Sequence, residues 1–168
     1  DNKFDIDIIK LLITPKALTM VDYFRGKIPL NLALWNKFDI DIIKLLITPD
    51  VLNIVNVRGR TPLYLSLLYG YDYEVIELLK TPEALIKVNR DGKIPLHLAI
   101  KKGYSRETIK LLSSKKALTI IDEKGRTPLH IAIYMGCNDV DIVKLLITPE
   151  ALKTCDREGR TPLHVFLY

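Results

Sequence analysis

The chain has 168 residues, a formal net charge of +5 and an apolar fraction of 48%, a composition typical of a folded protein with a sizeable core. No apolar run approaches the roughly 20 residues that cross a bilayer as a helix. The only two cysteines have no CxxC spacing, which supports neither a disulfide framework nor a zinc site, and we predict that Cys137 and Cys155 are buried or half-buried thiols. Because no Asn-x-Ser/Thr acceptor occurs, we expect an intracellular protein, with the cytoplasm favoured over the nucleus.

One sequence motif occurs five times along the chain. It reads YFRGKIPLNLAL from Tyr23, NVRGRTPLYLSL from Asn56, NRDGKIPLHLAI from Asn89, DEKGRTPLHIAI from Asp122 and DREGRTPLHVFL from Asp156. The glycines of successive copies are 33 residues apart, except that the last step is 34. A fixed period of this size predicts a repeat array, in which each unit buries its apolar faces only against its neighbours.

The first half of each period predicts a turn followed by a helix. In residues 56–88, Gly59 suits a turn because it adopts positive φ at little cost. Thr61 is a plausible N-cap and Pro62 suits the first helical position, where no amide donor is needed. Gly70 then ends the helix.

The second half predicts another amphipathic helix and a short helical turn. Its acids come early, as favoured by the helix dipole. The apolar positions recur at helical spacing and predict a buried stripe of Ile43, Leu46, Ile76, Leu79, Ile109 and Leu112. The segments TPKAL, TPDVL and TPEAL that follow are each expected to form one extra helical turn.

These units divide the chain into six segments. We predict a partial repeat at 1–22 with only its second helix, complete repeats at 23–55, 56–88, 89–121 and 122–155, and a partial repeat at 156–168 with only its first helix. Neither end shows the polar cap that a repeat array needs, so we expect a piece of a longer array.

The pattern Gly-x-Thr-Pro-Leu-His-x-Ala at this period resembles the ankyrin repeat. The resemblance implies an all-α fold, an ankyrin-repeat α-solenoid of stacked helix–turn–helix units with short finger loops, each finger a β-hairpin. Some positions depart from the family pattern. Ile28 and Ile94 replace the capping threonine, Asn31 and Tyr64 replace the histidine, and Lys37 replaces the glycine between the helices.

Nothing in the sequence predicts catalysis, a metal site or a cofactor. His97, His130 and His164 hold the same position in successive units, too far apart to share one coordination sphere. We expect each imidazole to hold backbone near its own finger. No glycine-rich phosphate loop occurs, and the carboxylates lie at helix starts and turns.

The resemblance places recognition on the first helices, along a concave face, and on the fingers. The candidate partner-binding residues at the helix ends are Trp35, Leu68, Tyr69, Lys101, Lys102, Tyr134 and Met135. Those on the fingers are Arg58, Arg60, Arg90, Lys93, Lys124, Arg126, Arg157 and Arg160. Tryptophan, tyrosine and arginine are the residue types enriched at interface hot spots.

We therefore predict a non-catalytic module that binds another protein. One alternative is binding of a polyanion, nucleic acid or an acidic tail, through the basic residue that follows each turn glycine, which we call the basic ladder: Lys27, Arg60, Lys93, Arg126 and Arg160. Another is a purely architectural segment of a scaffold or channel. A third interpretation of the basic ladder is that its residues only keep the protein soluble and bind nothing.

Overall fold

The computed structural model describes residues 6–23 and 26–168, and all regular structure within these residues is helical. In chain order the helices are α1 (Ile6–Leu12), α2 (Pro15–Thr19), α3 (Pro29–Trp35), α4 (Ile40–Leu46), α5 (Pro62–Tyr69), α6 (Tyr73–Leu78), α7 (Pro82–Ile86), α8 (Pro95–Lys102), α9 (Arg106–Leu112), α10 (Pro128–Tyr134), α11 (Val140–Leu146), α12 (Pro149–Lys153) and α13 (Pro162–Leu167). A 3-10 turn, Ala117–Thr119, lies between α9 and α10. The chain divides into two compact units, unit 1 (Asp1–Ala84) and unit 2 (Leu85–Tyr168).

In unit 1, consecutive first helices pack side by side. Helix α3 packs against α5 and against its own second helix α4, and α5 packs against α6. The side chains between them, among them Leu34, Ile43, Leu63 and Ile76, are completely buried. Apolar surface removed from water in this way stabilises the stack by about 25 cal/mol per Å².

Unit 2 repeats the same arrangement. Helix α10 packs between α8 and α13, and the second helices α9 and α11 pack against each other and against their own first helices. Every residue of the predicted apolar stripe in both units is buried. The predicted fold class, stacked helix–turn–helix units, is confirmed.

The helix starts follow the predicted capping chemistry. The hydroxyl of Thr61 accepts a hydrogen bond from the backbone N–H of Tyr64 at 3.2 Å, with Pro62 in the first turn. Ile28 and Ile94 occupy the same position without a side-chain cap, as their lack of an oxygen requires. Gly70 ends α5 with φ +74°, whereas the equivalent Lys37 adopts φ +60°.

The short third segment is helical in three copies, namely α2, α7 and α12. Their threonines cap them, as Thr148 does by accepting from the N–H of Ala151 at 3.0 Å. The TPDVL copy forms hydrogen-bonded turns instead, with Val51 N–H donating to the carbonyl of Thr48 at 3.2 Å.

The fingers differ from the implied β-hairpins, because no strand occurs in residues 6–23 and 26–168. The finger at 56–60 is closed by two backbone hydrogen bonds, from Asn56 N–H to the Arg60 carbonyl at 3.1 Å and from Gly59 N–H to the Asn56 carbonyl at 2.8 Å. Five residues are enough to close a turn but too few to form two paired strands. The predicted repeat boundaries stay a prediction, and residues 1–5 of the first lie outside the described residues.

The two thiols differ. Cys137 is half-buried, as predicted, but Cys155 is exposed, so that part of the prediction is wrong. Cys155 lies between α12 and the last finger, where the chain has left the packed helices. Among the described helices none combines the length and apolarity needed to cross a membrane.

Candidate partner-binding site

Four of the predicted binding residues meet in one cavity of unit 1, which we call the unit 1 cavity. Its volume is about 370 Å³, and it is lined by Lys27, Trp35, Asn56, Val57, Arg58, Arg60 and Tyr69. Trp35, Arg58, Arg60 and Tyr69 were candidates from the sequence; Lys27, Asn56 and Val57 were not in that set.

The two aromatic walls of the unit 1 cavity come from neighbouring helices. Trp35 is the last residue of α3 and Tyr69 the last of α5, and these helices pack together. The indole stays 42% exposed. The buried Lys27 lies over it, with Nζ 2.9 Å from the ring centroid. This cation–π contact fixes the orientation of the indole at the cavity wall.

The finger supplies the cations at the rim. The side-chain oxygen of Asn56 accepts from the backbone N–H of Arg58 at 2.9 Å and of Arg60 at 3.1 Å, which holds the turn. The Arg60 guanidinium lies 5.5 Å from the centroid of the Tyr64 ring. The Nε of Arg60 is buried and has no hydrogen-bond partner among the described residues. Within the same residues, neither Arg58 nor Arg60 forms a salt bridge.

The equivalent arginines of unit 2 are neutralised. Arg126 donates to Asp122 from Nε at 3.1 Å and from Nη2 at 2.7 Å. Arg160 donates to Asp156 in the same way, at 2.9 and 2.8 Å. In each case the carboxylate lies four residues before the arginine, on the other side of the finger.

The electrostatics of Asp122 follow from this pairing. Burial raises the pKa of its carboxyl, but hydrogen bonds from the Arg126 guanidinium and from the backbone of Arg126 and Lys124 outweigh burial and leave the pKa below its ordinary value. The balance has the same sign at Asp156, whose pKa is also lowered. Both carboxylates are therefore charged at neutral pH and cancel the charge of their arginines.

The basic ladder is thus a set of unequal charges. All five positions are basic, but Lys27 is buried on Trp35, and Arg126 and Arg160 are paired with carboxylates. Arg60 and Lys93 follow an asparagine instead of an aspartate four residues earlier.

A second cavity lies in unit 2 and has a different character. Its volume is about 300 Å³, and it is lined by Ile100, Lys101, Lys102, Gly103, Tyr104, Ile109, Met135, Cys137 and Ile142. Lys101, Lys102 and Met135 were candidates from the sequence. Its lining is mainly apolar.

The remaining candidates line neither cavity. Tyr134 is 64% exposed, and the guanidinium of Arg126 lies 5.8 Å from the centroid of its ring. Leu68, Lys93, Arg126 and Arg160 are half-buried, and Arg90, Lys124 and Arg157 are exposed. Their role in binding stays a prediction.

The histidines form hydrogen bonds with the N-cap residues of their own helices, and His130 also forms one with the next finger. His130 Nδ1 accepts from Thr127 N–H at 3.3 Å, while Nε2 lies 3.0 Å from the carbonyl of Arg160 in the following finger. Because a carbonyl only accepts, Nε2 carries the proton. His97 Nδ1 accepts from Ile94 N–H at 3.2 Å, and His164 Nδ1 accepts from Thr161 N–H at 3.3 Å.

His97 has a strongly perturbed pKa. Burial lowers it from 6.5 to about 4, although the Asp122 carboxylate and the Arg126 carbonyl act in the opposite direction. In the part of the chain that the structure describes, Nε2 of His97 forms no well-aligned hydrogen bond. The Arg126 carbonyl therefore offsets the effect of burial on the pKa only weakly. No group of three or more histidine, cysteine, aspartate or glutamate residues that could hold a metal occurs among the described residues.

Residues 72–153 match the family profile of ankyrin repeats, in three copies. These residues belong to the ankyrin repeat family. No curated protein is significantly similar to the chain in sequence. Ankyrin repeats are in general protein–protein interaction modules and are typically non-catalytic. The ankyrin phrase also occurs before the matched range, in the two copies that begin at Tyr23 and Asn56.

Proposed function

We propose that this ankyrin array binds its partner protein through the ends of the first helices and the fingers, with the unit 1 cavity as the centre of the contact. The observation that supports the proposal is the meeting of two aromatic side chains and two arginines within one cavity, where neither arginine forms a salt bridge to a residue that the structure describes. Trp35 exposes 42% of its surface there, although a stacked helix could have buried it.

The energetics favour this cavity over the rest of the surface. Aromatic and arginine side chains that become desolvated at the middle of an interface carry most of the binding free energy, about 2 kcal/mol or more each. The aromatic rings are held by packed helices and the finger by the Asn56 bonds, so little conformational entropy is lost on binding.

Unit 2 offers a second contact region. Lys101, Lys102 and Met135 line its cavity, and Tyr134 exposes 64% of its surface. We include the whole predicted set of helix-end and finger residues in the proposed surface. We place the protein inside the cell, in the cytoplasm or nucleus, and assign it no cofactor.

The test is affinity capture from the native cell with the chain as bait, followed by a binding measurement on the partner that is recovered. The double variant Trp35→Ala with Tyr69→Ala is expected to weaken that partner at least tenfold, which is about 1.4 kcal/mol. Tyr73→Ala is the matched control, because Tyr73 is an exposed tyrosine of α6 that does not line the cavity.

Equal affinities for the double variant and the control would contradict the proposal, provided that the helical circular-dichroism signal is unchanged. Loss of affinity in both variants would also contradict it, because the effect would then not depend on the cavity.

The polyanion alternative receives less support from the charges. Arg126 and Arg160 are paired with carboxylates, so fewer cations are available for phosphates than the ladder predicts. Its test is the salt dependence of oligonucleotide binding, since log affinity falls with log salt in proportion to the phosphates neutralised. The architectural alternative is tested by the sequence that flanks this segment in the full-length protein.

A further inference from the structure

One finger of unit 1 lacks a carboxylate that two fingers of unit 2 have at the equivalent position. Asp122 uses its two oxygens for two tasks: Oδ1 accepts from the backbone N–H of Lys124 and Arg126 at 2.9 and 3.0 Å, and Oδ2 accepts from the Arg126 guanidinium. Asp156 divides its oxygens in the same way. The first task makes the turn, and the second neutralises the arginine.

Asn56 performs only the first task. Its single oxygen accepts from Arg58 and Arg60 N–H at nearly the same distances as in the aspartate fingers. The other half of its amide is a donor and cannot accept from a guanidinium. The turn is therefore preserved, while among the described residues no carboxylate pairs with Arg60.

The unit 1 cavity concentrates this uncompensated charge. Arg58 and Arg60 line it, and no carboxylate is among its lining residues as far as the structure describes the chain. The Nε of Arg60 is buried and without a hydrogen-bond partner in the described residues. A concave, partly dry site with one sign of charge attracts the opposite charge more strongly than an open surface does.

The geometry points to the unit 1 cavity as a binding site for a glutamate or aspartate side chain in an acidic segment of the partner protein. This inference rests on the proposed function and adds the chemistry of the partner. The ligand's carboxylate takes the place that Asp122 and Asp156 hold beside their own arginines. Arginine's planar fork suits a carboxylate, and Trp35 and Tyr69 offer apolar walls to the carbon chain that carries it.

The single tryptophan of the chain makes the site directly observable. Trp35 lines the cavity, so its fluorescence and its indole N–H signal in a ¹H–¹⁵N spectrum report on this site alone. The probe is a short glutamate-rich peptide, with its glutamine counterpart of equal length as the matched ligand. We expect a saturable shift of the indole signal with the glutamate peptide and none with the glutamine peptide.

The decisive variant is Asn56→Asp, which replaces one lining side chain by another of nearly the same size, supplies the missing carboxylate and keeps the aromatic and basic side chains of the cavity. Two fingers of this same chain already carry aspartate at this position, so the turn is expected to form. The variant should raise the dissociation constant of the glutamate peptide about tenfold, because Arg60 is then engaged from within. Asp122→Asn is the matched control and should leave the Trp35 titration unchanged.

Equal binding of the two peptides, or full affinity in Asn56→Asp, would overturn the inference. So would tighter binding at Trp35 of a phosphoserine peptide or a single-stranded oligonucleotide, since either result assigns the cavity to phosphate.

The failure of this inference is distinguishable from failure of the proposed function. If Trp35→Ala with Tyr69→Ala loses the captured partner while Asn56→Asp keeps it, the interaction surface stands and carboxylate recognition falls. If the double variant keeps the partner while the glutamate peptide still shifts the indole signal in the unaltered chain, the proposed surface falls and the carboxylate site stands.

Discussion

The finger at 56–60 in unit 1 and the finger at 122–126 in unit 2 share a backbone and differ in charge. Both are closed by the same two backbone hydrogen bonds and by a side-chain oxygen that accepts two N–H groups. One carries asparagine, and its arginine forms no salt bridge within the described part of the chain; the other carries aspartate, which pairs with its arginine. The turn needs only one acceptor oxygen, Oδ1. The other terminal atom, Nδ2 in asparagine or Oδ2 in aspartate, therefore decides whether the arginine of the finger is paired with a negative charge.

The buried position that follows each finger differs in a parallel way. Unit 2 places His97 and His130 there, and His130 joins its own helix start to the next finger. Unit 1 places Asn31 and Tyr64 there, and both amide atoms of Asn31 are buried without a hydrogen-bond partner in the described residues. Unit 2 is thus expected to have the better-satisfied core and the stronger dependence on pH.

The largest expected effect is the loss of unit 2 stability in acid. His97 is neutral when folded, with a pKa of about 4 against 6.5, whereas the unfolded chain takes up the proton below pH 6.5. Stability therefore falls as the pH falls from 6.5 to 4, by about 3 kcal/mol from this residue. Below pH 4 the lowered pKa of Asp122 adds a further loss as that carboxylate protonates. Urea unfolding followed by hydrogen exchange in each unit measures the effect.

The control is His97→Asn, which places the residue of the equivalent position 31 in unit 2. It should reduce the pH dependence between 6.5 and 4 to the part that comes from His130, whose pKa is also lowered by burial. All three histidines lie in unit 2, so unit 1 should keep its protection through this range. An equal loss of protection in both units would contradict the expectation.

The next effect is the removal of the finger ion pair. Asp122→Asn keeps an oxygen for the turn but leaves the half-buried Arg126 unpaired, and we expect a loss of about 2 kcal/mol in the free energy of unfolding. The reciprocal change, Asn56→Asp, should stabilise unit 1 by about 1 kcal/mol at most, because the desolvation of a new half-buried ion pair offsets part of its Coulomb attraction. Thermal and urea unfolding measure both, and changes of the same sign would break the comparison of the two fingers.

The buried asparagine offers a smaller effect of opposite sign. Replacing Asn31 by leucine of similar size removes two polar atoms that have no partner, so stability should rise by about 1 kcal/mol. His130→Leu, at the equivalent position of unit 2, should lower stability because Thr127 and the Arg160 carbonyl each lose their hydrogen bond to the imidazole. Destabilisation by Asn31→Leu in urea unfolding would show that Asn31 is satisfied by water.

The smallest effect concerns the residue between the two helices. Lys37 adopts the left-handed conformation that Gly103 and Gly136 adopt in unit 2, which costs a residue with a Cβ about 1 kcal/mol. Part of this cost is offset because Nζ of Lys37 donates to the Gly70 carbonyl at 3.1 Å. Lys37→Gly should therefore stabilise by only about 0.5 kcal/mol, and Gly103→Lys should destabilise by about 1 kcal/mol. A loss of stability in Lys37→Gly would mean that the contact to Gly70 outweighs the strain.

Much of the fold could be predicted because it depends on local chemistry. The helix start at Thr61 and Pro62, the uncapped starts at Ile28 and Ile94, and the buried Ile43 and Leu46 all follow from residues within a few positions of one another. The exposure of Cys155 was missed because it depends on where the chain leaves the packed helices. The finger was implied as a hairpin but is a turn, since strand pairing needs more residues than it has.

The candidate site was predicted in part. Trp35, Tyr69, Arg58 and Arg60 came from residue type and repeat position, while Lys27 was set aside as a ladder residue although it contacts Trp35. Asn56 was missed, yet a comparison of Asn56 with Asp122 and Asp156 within the sequence contains the signal.

By itself the sequence determined the period, the class of fold, the capped helices and the basic residue after each turn glycine, because these depend on propensity and spacing along the chain. Only the tertiary structure decided which of those cations are paired with a carboxylate and which of them meet in a cavity. The reason is distance: Trp35 and Tyr69 are brought to one wall by the packing of α3 on α5, and a guanidinium is neutralised only where a carboxylate lies within hydrogen-bond reach.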